Sequence, residues 1–181
     1  MNIERIVTGF AGPIASGKTT VSSALAHAYN LPLANFGDYV RLVARERGLG
    51  QERDILQRVG TELFEKDLTS FCISVLSRAG WKPGSGVVVD GIRRKEAIEI
   101  IQKLTEPLKF ILIYVSTEEQ IRRVRLYLKG INTENKIIKA DSHPTESQLI
   151  FLRKRADLVI DGAQPILELV HQIADFIEKM D

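Results

Sequence analysis

The stretch Gly12-Pro-Ile-Ala-Ser-Gly17-Lys18-Thr19 fits the pattern G-x-x-x-x-G-K-[ST] and follows directly on the apolar run Arg5-Ile-Val-Thr-Gly-Phe10. Residue types at this spacing bind a phosphate chain. The glycines let the backbone wrap so that its N–H groups converge on the anion, and the helix that follows turns its positive end to the same point. Lys18 would reach the β- and γ-phosphates of a nucleotide, and the Thr19 hydroxyl would ligate Mg2+. The nucleotide-binding set is Gly12, Ala15, Ser16, Gly17, Lys18, Thr19 and Thr20. The competing reading is a glycine-rich turn with Lys18 and Thr19 in water. A strand-like run before the pattern and a helix-like run after it favour the nucleotide.

A second set of residues is conspicuous by charge. Helix N-termini favour acidic side chains by about 0.3–1 kcal/mol each. The segment Ser116-Thr-Glu-Glu119-Gln120 obeys, reading as a capping box with acids in the first turn. Three other helix starts do the reverse: Lys18 opens the first helix, Arg41 falls in the first turn after Gly37-Asp38, and Arg93-Arg94-Lys95 follow Asp90-Gly91. In a parallel sheet these junctions share the carboxyl edge, where open α/β sheets bind ligands. Any one of these cations alone is equally well explained as solvated. Together, beside a phosphate loop, they point to two anionic ligands facing each other. Asp38 either caps the second helix or accepts a hydrogen bond from an acceptor or a metal-bound water.

The elements that must position these residues are read from periodicity. Short β-branched runs predict strands over 3–10, 33–36, 87–90, 110–115 and 158–161. Helical patterns fall near 18–29, 38–47, 51–79 (as two helices), 94–104, 117–129, 144–155 and 165–180. Strands alternating with helices imply right-handed crossovers and a parallel sheet with helices on both faces. The nearly continuous apolar runs Gly86-Val-Val-Val-Asp90 and Phe110-Ile-Leu-Ile-Tyr-Val115 fit strands buried on both sides. Segments 80–86 and 129–143 read as loops.

At 181 residues, with 44% hydrophobic and 27% charged residues, the chain has the composition of one soluble domain. A net charge of +2 gives no basis for a nucleic-acid polymer or a membrane as partner. The one cysteine, Cys72, lies in an apolar segment and reads as a buried core thiol, and the three histidines lack metal-ligand spacing. No signal-like or membrane-spanning run is visible, so the expected location is cytoplasmic, as a monomer or homodimer. Phe36, Tyr39 and Trp81 would stack an acceptor base or, more commonly, pack in the core.

The junction residues resemble the nucleoside monophosphate kinase family of P-loop phosphotransferases. Asn35-Phe-Gly-Asp-Tyr-Val-Arg41 looks like that family's G-D-x-x-R segment, which implies Arg41 as the grip on the acceptor's phosphate, with Asp38 beside it. Val89-Asp90-Gly-Ile-Arg-Arg94 looks like its D-G-x-x-R segment, which implies Arg94 as a second clamp and Asp90 as the carboxylate that orients Mg2+ waters. Arg53–Glu62 and His143–Glu146 are similar to stretches of deoxynucleoside monophosphate kinase-like and phosphomevalonate kinase-like members. The resemblance implies an α/β, three-layer P-loop kinase fold with a five-stranded parallel sheet of order 2-3-1-4-5. It also implies a single domain over 1–181, with an acceptor-binding helical region at about 37–80 and a short lid at about 129–143. Family members carry lid arginines; Arg122 and Arg125, sharing a helix face, are the candidates here, with Arg153 and Arg155 as further ones. Asp141, His143 and Glu146 fit either acid–base chemistry or a helix start at Pro144.

These readings converge on an ATP- and Mg2+-dependent kinase of a small-molecule phosphoryl acceptor, a nucleoside or deoxynucleoside monophosphate first. Alternatives are another phosphorylated metabolite (a coenzyme precursor, phosphomevalonate or a sugar) or a nucleotide-dependent regulatory ATPase. A guanine-nucleotide switch is disfavoured because Asn135-Lys136 runs on to Ile137-Ile138 rather than to the N-K-x-D pattern.

Overall fold

The computed structural model describes residues 3–130 and 144–180. A short 3-10 turn, Ile3–Arg5, takes up what the sequence pattern assigns to the start of the first strand. The elements then follow as β1 (Ile6–Ala11), α1 (Lys18–Ala28), β2 (Leu33–Asn35), α2 (Phe36–Glu46), α3 (Arg53–Arg78) and β3 (Val87–Ile92). Next come α4 (Lys95–Thr105), β4 (Lys109–Ser116), α5 (Glu119–Leu128), α6 (Pro144–Arg155), β5 (Leu158–Asp161) and α7 (Ile166–Glu178).

All strand pairs are parallel and the order is β2-β3-β1-β4-β5, as expected. Alternate residues of each inner strand serve opposite cores, which is why these runs are apolar without a polar period. Val7, Val87, Val89, Leu112 and Tyr114 pack against α2, α3, α4 and α6. Ile6, Phe10, Val88, Ile111 and Ile113 pack against α1 and α7 on the other face. With β1 between β3 and β4, its carboxyl end is the point where the strand order reverses, the usual ligand crevice of such sheets. The phosphate loop occupies that point.

Helix α3 is two helices in effect. Asp67 is extended (φ −164°, ψ 93°) inside it, and its carboxylate accepts hydrogen bonds from the Ser70 N–H (2.9 Å) and hydroxyl (2.6 Å), capping the second half. Those bonds hold the Asp67 carboxyl below its ordinary value. The aromatics expected to stack or pack do the latter. Phe36 meets Phe71 edge-on at 5.1 Å, Tyr39 leans on the same ring, and the Trp81 indole N–H donates to the Ser85 carbonyl. Cys72 is fully buried, and burial pushes its thiol up to about 12. Among the described residues no helix is long and apolar enough to cross a membrane.

Candidate active site

The loop between β1 and α1 takes positive φ at Gly12 (151°), Ala15 (60°) and Gly17 (95°). Gly17 stands at the N-cap of α1 with no side-chain cap, and the first turn of α1 carries no acid, which are the features of a helix start that suits an anion. A loop that turns its N–H groups inward must turn its carbonyls outward, and here each of four successive carbonyls meets a donor. Lys18 Nζ donates to Pro13 (3.3 Å), Arg122 to Ile14 (3.3 Å), Arg125 to Ala15 (3.2 Å) and Thr117 to Ser16 (2.9 Å). Arg125 also donates to the Gly162 carbonyl (2.8 Å), tying the loop to the turn after β5. Gly162 is required there by space. A Cβ on it would press into the Ser16 carbonyl oxygen and lie 2.7 Å from the Thr117 hydroxyl.

The arginines of α5 are thus in place beside the nucleotide loop, on one helix face as the spacing predicts, while Arg123 turns away to Glu119 (2.6 Å). Both donate to carbonyls of the loop. The capping box expected at 116–120 does not form: Glu118 is the N-cap without a side-chain bond, because the Thr117 hydroxyl is drawn to Ser16 and Ser116 carbonyls instead. Arg153 and Arg155 are exposed at the end of α6, just before β5 begins, and so lie at the sheet edge opposite the loop.

Asp90 is 1% exposed and sits at a register shift where β3 gains a residue against β1, Phe10 facing Asp90 and Ala11 facing Ile92. Gly91, at φ 88°, supplies the left-handed backbone that this bulge needs. One carboxylate oxygen of Asp90, Oδ2, accepts from the Thr19 hydroxyl (2.7 Å) and from Asn35 Nδ2 (3.0 Å). The other, Oδ1, is buried with no hydrogen-bond partner among the described residues. Burial raises the Asp90 carboxyl above its ordinary value, against the opposing pull of the Thr19 hydroxyl, the Lys18 charge and the Gly91 N–H. A free anionic oxygen beside a hydroxyl is a donor set that suits Mg2+, a hard cation bound through few protein oxygens. Thr19 and Asp90 would hold it, directly or through its waters.

On the acceptor side, α2 begins at Phe36, so Arg41 lies in the second turn and not the first. Asp38 does not cap the helix. Asn35 does, its side-chain oxygen accepting from the Asp38 N–H (3.0 Å), and the Asp38 carboxylate pairs with Arg41 (2.6 Å). Arg94 is the N-cap residue of α4, and its guanidinium lies 4.1 Å over the Phe64 ring of α3. Gly91 packs on Phe36 and Gly37, so the turn after β3 adjoins the first turn of α2. The lid expected at 129–143, with Asp141 and His143, falls outside the described residues beyond Gly130. Glu146 falls in α6, which starts at Pro144. Asn35, Phe64 and Gly162 were not assigned roles from sequence, and Thr117 only as part of the capping box. Only Asn35 carried a signal, an Asn at the last residue of a strand and just before a helix.

The architecture is an open parallel α/β sheet with a P-loop at its switch point. The AAA domain family model matches residues 11–144, and the chain belongs to that family. A UPF0200 protein of Pyrobaculum aerophilum is 29% identical over 179 residues, covering 96% of this chain and 98% of its own. A UPF0200 protein of Methanothrix thermoacetophila is 31% identical over 122 residues; the match spans 64% of that relative's length. Among solved structures, shikimate kinase from Acinetobacter baumannii in complex with shikimate superposes with a TM-score of 0.67, at 18% identity, covering 99% of this chain and 97% of that one. A gluconokinase from Sinorhizobium meliloti gives 0.55 at 16% identity, covering 97% and 93%. The fold is that of the small-molecule P-loop kinases.

Proposed function

We propose that the protein is an ATP-dependent phosphotransferase whose acceptor is a small anion, a nucleoside or deoxynucleoside monophosphate first. The observation that carries this reading is a division of labour among the cations. Lys18, Arg122 and Arg125 are engaged with the phosphate loop, whereas Arg41 pairs with Asp38 and Arg94 lies over the Phe64 ring. A protein that only bound or hydrolysed a nucleotide would have little use for the second pair.

Mg·ATP supplies an activated γ-phosphoryl group with its charge partly neutralised. The loop N–H groups and Lys18 hold and orient its phosphates, and Thr19 and Asp90 present oxygen to the metal side. Arg41 and Arg94 aim the acceptor's nucleophilic oxygen, within an acceptor region built from residues 37–80. A phosphate-monoester oxygen is already ionised near neutral pH, so the transfer needs positioning and charge stabilisation more than a general base.

A second reading, an acceptor bearing a carboxylate and hydroxyls, is favoured by the likeness to shikimate kinase and gluconokinase. In that case Asp38, in the first turn of α2 and paired with Arg41, would be the candidate to take the hydroxyl proton. An ADP-release screen tests both, over nucleoside monophosphates, phosphorylated metabolites and hydroxy acids, with a no-acceptor control. Acceptor-dependent ADP release supports transfer and names the class; ADP release independent of any acceptor would make the protein an ATPase.

A further inference from the structure

A chain of hydrogen bonds joins the nucleotide side of the site to the acceptor side, and one neutral residue is its centre. Thr19 Oγ1 donates to Asp90 Oδ2 (2.7 Å), and Asn35 Nδ2 donates to the same oxygen (3.0 Å). Asn35 Oδ1 accepts from the Asp38 N–H (3.0 Å), and Asp38 Oδ1 accepts from Arg41 Nη2 (2.6 Å). Asn35 is the last residue of β2 and pairs in register with Asp90 on β3, so the sheet itself sets the two side chains next to each other.

We propose that Asn35 is a positioning residue that fixes Asp90 for the metal and makes its placement depend on helix α2, coupling Mg·nucleotide binding to the seat of Arg41. This rests on the phosphotransferase reading above for its purpose, but not for its test.

The chemistry of the position is specific to an amide. Its N–H must point to a carboxylate and its oxygen to a backbone N–H, so the orientation is fixed at both ends; a flipped amide would set oxygen against oxygen and N–H against N–H. Aspartate could cap α2 but would put a second carboxylate against Asp90. Serine could cap α2 but would leave Asp90 without its second donor. With Thr19 and Asn35 both on Oδ2, Oδ1 is left as the buried oxygen without a hydrogen-bond partner among the described residues.

Asn35→Ser and Asn35→Ala separate the two functions. The readouts are the Mg2+ concentration that half-saturates the enhancement of ADP binding, measured by calorimetry, and hydrogen exchange across residues 36–46 with and without Mg·ADP. Both variants are expected to need about tenfold more Mg2+ than the wild type, the loss of one hydrogen bond to a charged group. Asn35→Ala should lose several degrees more of melting temperature than Asn35→Ser, since serine still caps α2 while both lose the bond to Asp90. Mg·ADP should raise protection in residues 36–46 of the wild type and fail to do so in Asn35→Ser. A Mg2+ requirement of Asn35→Ser within twofold of wild type would overturn the proposal, as would a rise seen in the alanine variant alone. If the wild type binds Mg·ADP but phosphorylates no acceptor, the functional reading fails while this test still stands.

Discussion

Replacing Arg125 with alanine removes two hydrogen bonds that brace the phosphate loop from outside, to the Ala15 carbonyl at 3.2 Å and the Gly162 carbonyl at 2.8 Å. Hydrogen bonds from a charged group contribute about 1.5–3 kcal/mol when buried. Arg125 is only half-buried, so about 1 kcal/mol for each is the reasonable figure, or about 2 kcal/mol together. In the free protein, water can replace the arginine at both carbonyls, and the loop then samples conformations in which its N–H groups no longer converge. Nucleotide binding must restore the ordered loop, so most of the loss falls on binding: about 30-fold weaker ADP and ATP affinity, at 1.4 kcal/mol per tenfold. Titration calorimetry with ADP, on Arg125→Ala and Arg125→Lys beside the wild type, measures it. Lysine can reach one carbonyl but not both and should fall between. Unchanged ADP affinity with a collapse of kcat would refute the reasoning and return Arg125 to the lid-arginine role implied by the family resemblance.

Other outcomes follow from the same geometry. Asp90→Asn should raise the melting temperature of the nucleotide-free protein by about 2–4 °C, a gain of about 1 kcal/mol from removing a buried charge, while abolishing Mg2+-dependent transfer. The sign with pH is fixed by the raised carboxyl: ionised Asp90 costs stability at neutral pH, and the wild type recovers it as pH falls through the raised value. The gap between variant and wild type should therefore close as pH falls from neutrality toward about 4, the ordinary carboxylate value; a constant gap in thermal melts would contradict this. Gly162→Ala forces a Cβ against the Ser16 carbonyl and should cost about 1–3 kcal/mol in denaturant melts, with weaker ADP binding. Arg41→Ala breaks an exposed pair with Asp38 worth about 0–1 kcal/mol, so stability should hardly change. It and Arg94→Ala should raise the acceptor's KM or lower kcat about tenfold or more in steady-state assays with ATP affinity retained; loss of ATP affinity alone would remove the second anion site.

What was legible in the sequence, and what was not, divides along one physical line. The phosphate loop and the strand pattern are local: a spacing of glycines before Lys18-Thr19, and apolar runs such as 110–115 that no water-facing strand would tolerate. The break in α3 was half-legible, since 51–79 is too long for one uninterrupted pattern, but Asp67 as its hinge depended on Ser70 reaching back. Roles set by neighbouring elements were hidden. Asn35 meets Asp90 only because β2 and β3 pair in that register. Thr117 reads as part of a capping box, and abandons it because folding brings the Ser16 carbonyl within reach. Arg122 and Arg125 were placed on the correct helix face, yet their targets follow from the outward turn of the loop's carbonyls, which spacing does not reveal. Arg41 was set one turn too early because the helix start was assigned to Asp38 rather than to the cap at Asn35.

The most direct measurement follows the label of γ-32P-ATP. With the acceptor identified by the screen, the wild type should move the label into an organic phosphate in proportion to acceptor, with little inorganic phosphate. Lys18→Ala, folded to nearly wild-type stability, should move none. Label appearing as inorganic phosphate at the same rate with or without acceptor, or full transfer by Lys18→Ala, would contradict the assignment of a phosphotransferase centred on the 12–19 loop.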